Sequence, residues 1–196
     1  MIPGEDACCI LLYGDIGEYS DVTAAAIVRE LMEAEASGKR IDVRINSNGG
    51  DVYTGIAIFN ALRGSKADIH IYVDGIAASM ASVIALCGKP VEMSKYARLM
   101  LHSVSGGCYG NKTELRRCLE EVEALENTLC EMYAPKLGTS VEDIRARYFD
   151  DADHWLKADE ALALGFIDGV YDTDPVPEDS TPEQVCLLYT SPSPRD

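Results

Sequence analysis

Apolar and polar side chains alternate through Ile41-Asp42-Val43-Arg44-Ile45 and again through Ile69-His70-Ile71-Tyr72-Val73, the period of two that predicts half-buried strands. Cys9 to Tyr13 predicts an earlier strand, closed by a turn at Gly14-Asp15-Ile16-Gly17. Elsewhere the period lengthens. Asp21 to Ala36 reads as a helix with Asp21 or Thr23 near its cap, and Tyr53 to Leu62 carries a stripe of Ile56, Ile58, Phe59 and Leu62. Val83-Ile84-Ala85-Leu86 begins a shorter helix. The longest predicted helix runs from Lys112 to Tyr133, with Leu115, Cys118, Leu119, Val122, Leu125, Leu129 and Met132 at helical spacing and Glu and Arg opposite. Strands that recur ahead of helices imply an α/β fold with a mainly parallel sheet.

Composition narrows the class. A chain of 196 residues that is 47% hydrophobic can bury one sizeable core. Seventeen basic residues against thirty-three acidic ones give a formal net charge of −16, which argues against nucleic acid or an anionic membrane as partner. No basic leader precedes an apolar stretch, and no apolar run approaches the roughly 20 residues that span a bilayer; a soluble, cytoplasmic protein is expected. The seven cysteines form no Cys-x-x-Cys pair and have no histidine at ligand spacing, so they read as reduced thiols and no metal site is expected. Cys108, the nearest cysteine to His102 in sequence, lies in the glycine-rich 106–110 segment and does not read as a nucleophile. After Asp172 the chain becomes rich in Pro, Asp, Glu and Ser, which predicts disorder over 173–185. Residues 186–196 resemble the translation of a transposase sequencing adapter, so the native C-terminus is expected to be missing. Residues 1–172 are the expected catalytic domain.

Four segments carry candidate chemistry. Ser79 stands in Gly75-Ile76-Ala77-Ala78-Ser79-Met80-Ala81-Ser82, between a strand pattern and a helix pattern. A turn of that kind lifts a hydroxyl off a sheet and presents free backbone N–H groups beside it; a plain helix cap is the alternative. Asn46-Ser47-Asn48-Gly49-Gly50-Asp51 also joins a strand to a helix, and its glycine pair leaves amides unobstructed, as an oxyanion hole requires. A turn that uses glycine only for positive φ is the competing reading. His102 ends Tyr96-Ala97-Arg98-Leu99-Met100-Leu101, and Asp150, Asp151 and Asp153 precede Trp155-Leu156. Serine, histidine and carboxylate are the parts of an activated nucleophile. Of the other histidines, His70 lies within a strand pattern and His154 within the acidic loop.

Ile45 to Gly50, Ala77 to Ser82, Leu99 to His102, Trp155 to Ala161 and Leu164 to Asp168 together resemble the proteolytic subunit of the Clp protease, from about Cys9 to Asp172. The stretches Asn46 to Leu62 and Tyr72 to Ser79 are most similar to the Clp-like proteases of tailed phages and prophages, which are associated with head maturation. The resemblance implies a spiral of repeated β-β-α units shared with crotonases, with a protruding handle helix at Lys112 to Tyr133 preceded by a glycine-rich strand. It implies Ser79 as nucleophile, His102 as general base, the amides of Gly50 and Met80 as oxyanion hole, and Asp153 as the acid, with Asp151 as the alternative. It requires no metal or organic cofactor. Asn48 stands where the family usually has proline, a departure that a turn-forming residue accommodates.

The same resemblance implies a ring-forming homo-oligomer, with stacked rings, that acts on protein or peptide substrates such as phage capsid or scaffold proteins. An AAA+ unfoldase is typical of cellular relatives, but no segment here identifies a docking surface for one. Two other classes compete: a Clp-like scaffold that has lost catalysis, and a crotonase-type acyl-CoA enzyme, which would not need Ser79 and His102 together. A Ser-Lys enzyme would need Lys89 or Lys95 near the serine, and no motif supports either.

Overall fold

The computed structural model describes residues 2–3 and 7–171; the expected acidic tail and adapter segment lie outside them. Eight strands and six helices follow in the order β1 (Ile2–Pro3), β2 (Ala7–Tyr13), α1 (Ala24–Ser37), β3 (Arg40–Ser47), α2 (Val52–Gly64), β4 (Ile69–Ala78), α3 (Met80–Ala85), β5 (Val91–Ser94), β6 (Arg98–Leu101), α4 (Lys112–Leu137), α5 (Val141–Tyr148), β7 (His154–Lys157), α6 (Ala158–Ala163) and β8 (Gly169–Tyr171). The pairs β2–β3, β3–β4, β4–β5, β4–β6 and β5–β8 are parallel, while β1–β2 and β6–β7 are antiparallel. The mainly parallel α/β sheet expected from the strand-before-helix order is therefore present.

Each of the first three helices follows a long strand and then a short second pairing. After β2, Ile16 bridges to Gly50 and to Val22; after β3, Gly50 supplies the partner; within β4, Ile76–Ala78 form the equivalent step. This is the strand-strand-helix spiral. In β4 the two steps are fused, which the alternation ending at Val73 does not reveal: the strand runs on to Ala78. Ile45 pairs with Val73 but Ser47 pairs with Ala77, so β4 carries two extra residues across that interval. Such a bulge bends the strand. Up to Val73 its neighbour is β5, and from Ile76 it is β6.

Helix boundaries follow local chemistry. Thr23 caps α1 by accepting from the Ala26 amide at 3.1 Å, so the helix starts later than Asp21. Asn111 and Glu114 form a reciprocal capping box at the start of α4. That helix extends past Tyr133 to Leu137 despite Pro135, and Gly138 closes it in the left-handed conformation. Only Leu129, Cys130 and Tyr133 of α4 are buried. Its first half projects, with Leu115 47% and Leu119 58% exposed.

The core lies where Ile41, Val43 and Ile45 of β3 and Ile69, Ile71 and Val73 of β4 meet Leu31 of α1 and Ile58 and Leu62 of α2. On the opposite sheet face Arg44 is 4% exposed. Its Nε donates to Asp74 Oδ2 at 2.8 Å, its Nη2 to Asp74 Oδ1, and the phenols of Tyr13 and Tyr171 donate to the same carboxylate. Two guanidinium bonds and two phenol bonds use the carboxylate's acceptor capacity, and the charge-assisted pair holds Arg44 cationic although burial opposes it. Removing one partner of a buried pair strands the other charge. Arg44→Met should lower unfolding stability by about 3 kcal/mol in urea titration, with the loss reduced in Arg44→Met/Asp74→Asn because no charge is then left alone.

Candidate active site

Three neighbouring strand ends converge. In the parallel pair β4–β6, Ala78 lies opposite Met100, and the Ser79 amide donates to the Met100 carbonyl at 2.9 Å. In the antiparallel pair β6–β7, Leu101 faces His154. Continuing that register by one residue sets His102 beside Asp153. Sheet pairing alone thus gathers side chains that are far apart in the chain.

Ser79 occupies the turn between β4 and α3 with φ 53° and ψ −127°, a backbone that a residue with a side chain rarely adopts and that surrounding contacts must hold. It makes no capping hydrogen bond with its side chain, so the plain-cap reading does not describe it. Its Oγ instead lies 2.7 Å from His102 Nε2. Asp153 Oδ1 is 3.8 Å from His102 Nδ1, within ion-pair range and longer than a hydrogen bond. Asp151 takes a different position: its φ is 67° and its amide donates to Ser103 Oγ at 3.0 Å. Asp150 pairs with His154 at 2.7 Å, and that bond holds the Asp150 carboxyl below its ordinary value. Among the described residues, Asp153 is the carboxylate paired with His102.

The glycine turn packs directly against this serine. A Cβ on Gly49 would stand 2.7 Å from Ser79 Cβ and 2.9 Å from the Met80 nitrogen, and φ is +96°. Gly50 sits at φ +145°, where a Cβ would come within 2.1 Å of the Ile16 carbonyl oxygen. Both positions need glycine for close backbone approach. The Ile16–Gly50 bridge uses the Gly49 carbonyl, which accepts from Ile16 N at 2.9 Å, and the Asp51 amide, which donates to Ile16 O at 2.8 Å. The Gly50 N–H is left out of that bridge, on its other side. Met80 opens α3, so its amide is one of the unpaired donors of a helix start. Ile16, in the turn after β2, anchors this loop through those two bonds.

Gly50, Ser79, Met80 and His102 line a cavity of about 60 Å³ whose other walls include Val52, Val83, Leu129, Tyr133 and Phe149. A serine hydroxyl in contact with an imidazole, with the Gly50 and Met80 backbones beside them, is the arrangement that acyl transfer needs. Tyr133, in the cavity wall, bonds the buried Ser82 hydroxyl; sequence gives no signal for their pairing, because 51 positions separate them. Burial pushes the thiols of Cys87 and Cys130 up to about 11, so both stay protonated near neutrality. Among the described residues no cluster of three or more His, Cys, Asp or Glu could hold a metal ion, and no helix is long and apolar enough to cross a membrane.

Comparison with known proteins converges on one family. The Clp protease family model matches residues 7–174. The ATP-dependent Clp protease proteolytic subunit of Bacteroides fragilis is 32% identical over 157 residues, 78% of this chain and 75% of that protein. The ATP-dependent Clp protease proteolytic subunit 1 of Prochlorococcus marinus subsp. pastoris is 35% identical over 158 residues, 79% of this chain and 80% of that protein. With the match extending across the sheet, the serine turn and the projecting helix, this chain belongs to the Clp protease family.

Proposed function

We propose that this member of the Clp protease family, a serine-type peptidase, hydrolyses peptide bonds through Ser79, His102 and Asp153. The observation that carries the reading is the 2.7 Å contact between Ser79 Oγ and His102 Nε2 at a backbone-strained strand-to-helix turn. His102 takes the serine proton as Oγ attacks the carbonyl carbon, and the amides of Gly50 and Met80 receive the developing oxyanion. His102 then delivers the proton to the leaving amine, and water resolves the acyl-enzyme by the same route. Asp153, 60% exposed, orients and stabilises the imidazolium from 3.8 Å. The recess of about 60 Å³ suits a short side chain next to the scissile bond.

The chain works, on this reading, as a ring-forming homo-oligomer built from one catalytic domain, residues 1–172. The exposed Leu115 and Leu119 on the projecting half of α4 favour contact with another subunit over a solvated helix. A phage or prophage head maturation role, in the cytoplasm of a host cell with capsid or scaffold chains as substrates, is supported by the likeness of Asn46 to Leu62 and Tyr72 to Ser79 to those enzymes. The scaffold alternative loses ground to the intact serine–histidine contact.

Turnover of a fluorogenic peptide tests the mechanism. Ser79→Ala and His102→Ala should each reduce kcat about ten-thousandfold or more, while Asp153→Asn retains about a hundredfold more turnover than His102→Ala. Gly50→Ala should lower kcat about a hundredfold, since the added Cβ forces the amide out of position. Undiminished turnover in Ser79→Ala would overturn the reading. Leu115→Glu combined with Leu119→Glu should convert the assembled particle to smaller species by native mass spectrometry, whereas an unchanged mass would show that this face is not an interface.

A further inference from the structure

Two buried hydroxyls outside the proposed catalytic set end on its backbone. Ser82 Oγ lies 2.6 Å from the Ser79 carbonyl oxygen and 2.7 Å from the Tyr133 hydroxyl. The Ser82 amide adds a second bond to that carbonyl at 3.0 Å. Ser82 has one hydroxyl proton and a carbonyl can only accept, so Ser82 donates to Ser79 and Tyr133 must donate to Ser82. Tyr133 is 2% exposed and Ser82 0%, which leaves bulk water little access to either bond. Burial raises the Tyr133 phenol well above its ordinary value, so it remains a donor throughout the neutral range.

The carbonyl these bonds hold belongs to the same peptide group as the Met80 amide. A trans peptide is planar, so its C=O and N–H point in opposite directions, and fixing one fixes the other. The remaining contacts bracket the same unit. The Ser79 amide is tied to Met100, and the Met80 side chain fills a notch at Gly55, where a Cβ would come within 2.1 Å of Met80 Cγ. Ser79 at φ 53° and ψ −127° cannot rely on local preference to keep this orientation.

We propose that Tyr133 and Ser82 form a hydroxyl relay from helix α4 that aims the Met80 amide at the oxyanion, which makes both of them positioning residues for acyl transfer. The relay rests on the proposed roles of Ser79 and Met80. It reaches the reacting atoms through a single peptide plane, the Ser79–Met80 peptide. It also ties the buried end of the helix whose other end projects from the domain to the geometry of the nucleophile.

The test uses the full chain, a fluorogenic peptide, and a peptide boronate whose tetrahedral serine adduct mimics the oxyanion. Turnover by the wild-type chain that is lost in Ser79→Ala secures the underlying reading; absence of any turnover removes that reading and the relay with it. Given turnover, Tyr133→Phe should lower kcat about tenfold with KM within about twofold, and should weaken the boronate by a similar factor. Ser82→Ala should lose at least as much, and the double variant no more than Ser82→Ala alone, because the phenol acts only through Ser82. Melting temperature and assembled mass are measured alongside. Tyr133→Phe removes one oxygen atom, so it decides the matter alone if Ser82→Ala does not fold. A folded Tyr133→Phe with wild-type kcat and boronate affinity, a loss confined to KM, or additive losses in the double variant would each overturn the relay.

Discussion

Strand β4 has two partners along one edge, β5 up to Val73 and β6 from Ile76, and the two extra residues between Ile45 and Ser47 of its neighbour's register are what allow the exchange. Without that bend, β4 would end facing β5, and the serine turn would not meet β6. With it, the Ser79 amide pairs with Met100, His102 leaves the end of β6 next to the serine, and β7 brings Asp153 alongside in antiparallel register. The candidate triad is thus a product of sheet topology more than of loop conformation. Such a site is held by ladder hydrogen bonds, which are stiffer than loops.

Much of this is legible in the chain. The alternations at Ile41–Ile45 and Ile69–Val73 announce the central strands, because burial on one face leaves a period, and the long stripe from Leu115 to Met132 announces α4, although only its end near Leu129 is buried in the domain. The four candidate segments are visible as residue types suited to acyl transfer, and the family likeness assigns roles to them. What escapes is tertiary in origin. Residues 74–78 do not read as strand, since Asp74 and Gly75 interrupt the alternation: Asp74 is there to meet Arg44, and at Gly75 a Cβ would stand 2.7 Å from Asn46 Oδ1. The Ile16 anchor and the Ser82–Tyr133 pair join segments whose separation leaves no local pattern.

Charge is treated differently on the two sides of the sheet. On the face away from α1 and α2, Arg40 and Arg44 pair with Asp42 and Asp74 under near-complete burial of Asp42 and Arg44, so the polar groups there serve the fold. At the strand ends, His102 and Asp153 remain partly exposed and more widely spaced. The same chain therefore holds one ion pair buried and close and leaves the other more open and more widely spaced.

The central claim is that Ser79 is an activated nucleophile, and covalent trapping tests it most directly. The purified protein is treated with a fluorophosphonate probe and the adduct is mapped by peptide mass spectrometry. The account predicts one adduct at Ser79, absent from Ser79→Ala and sharply reduced in His102→Ala. A folded, assembled protein that takes up no probe, or takes it up at another residue, would contradict it.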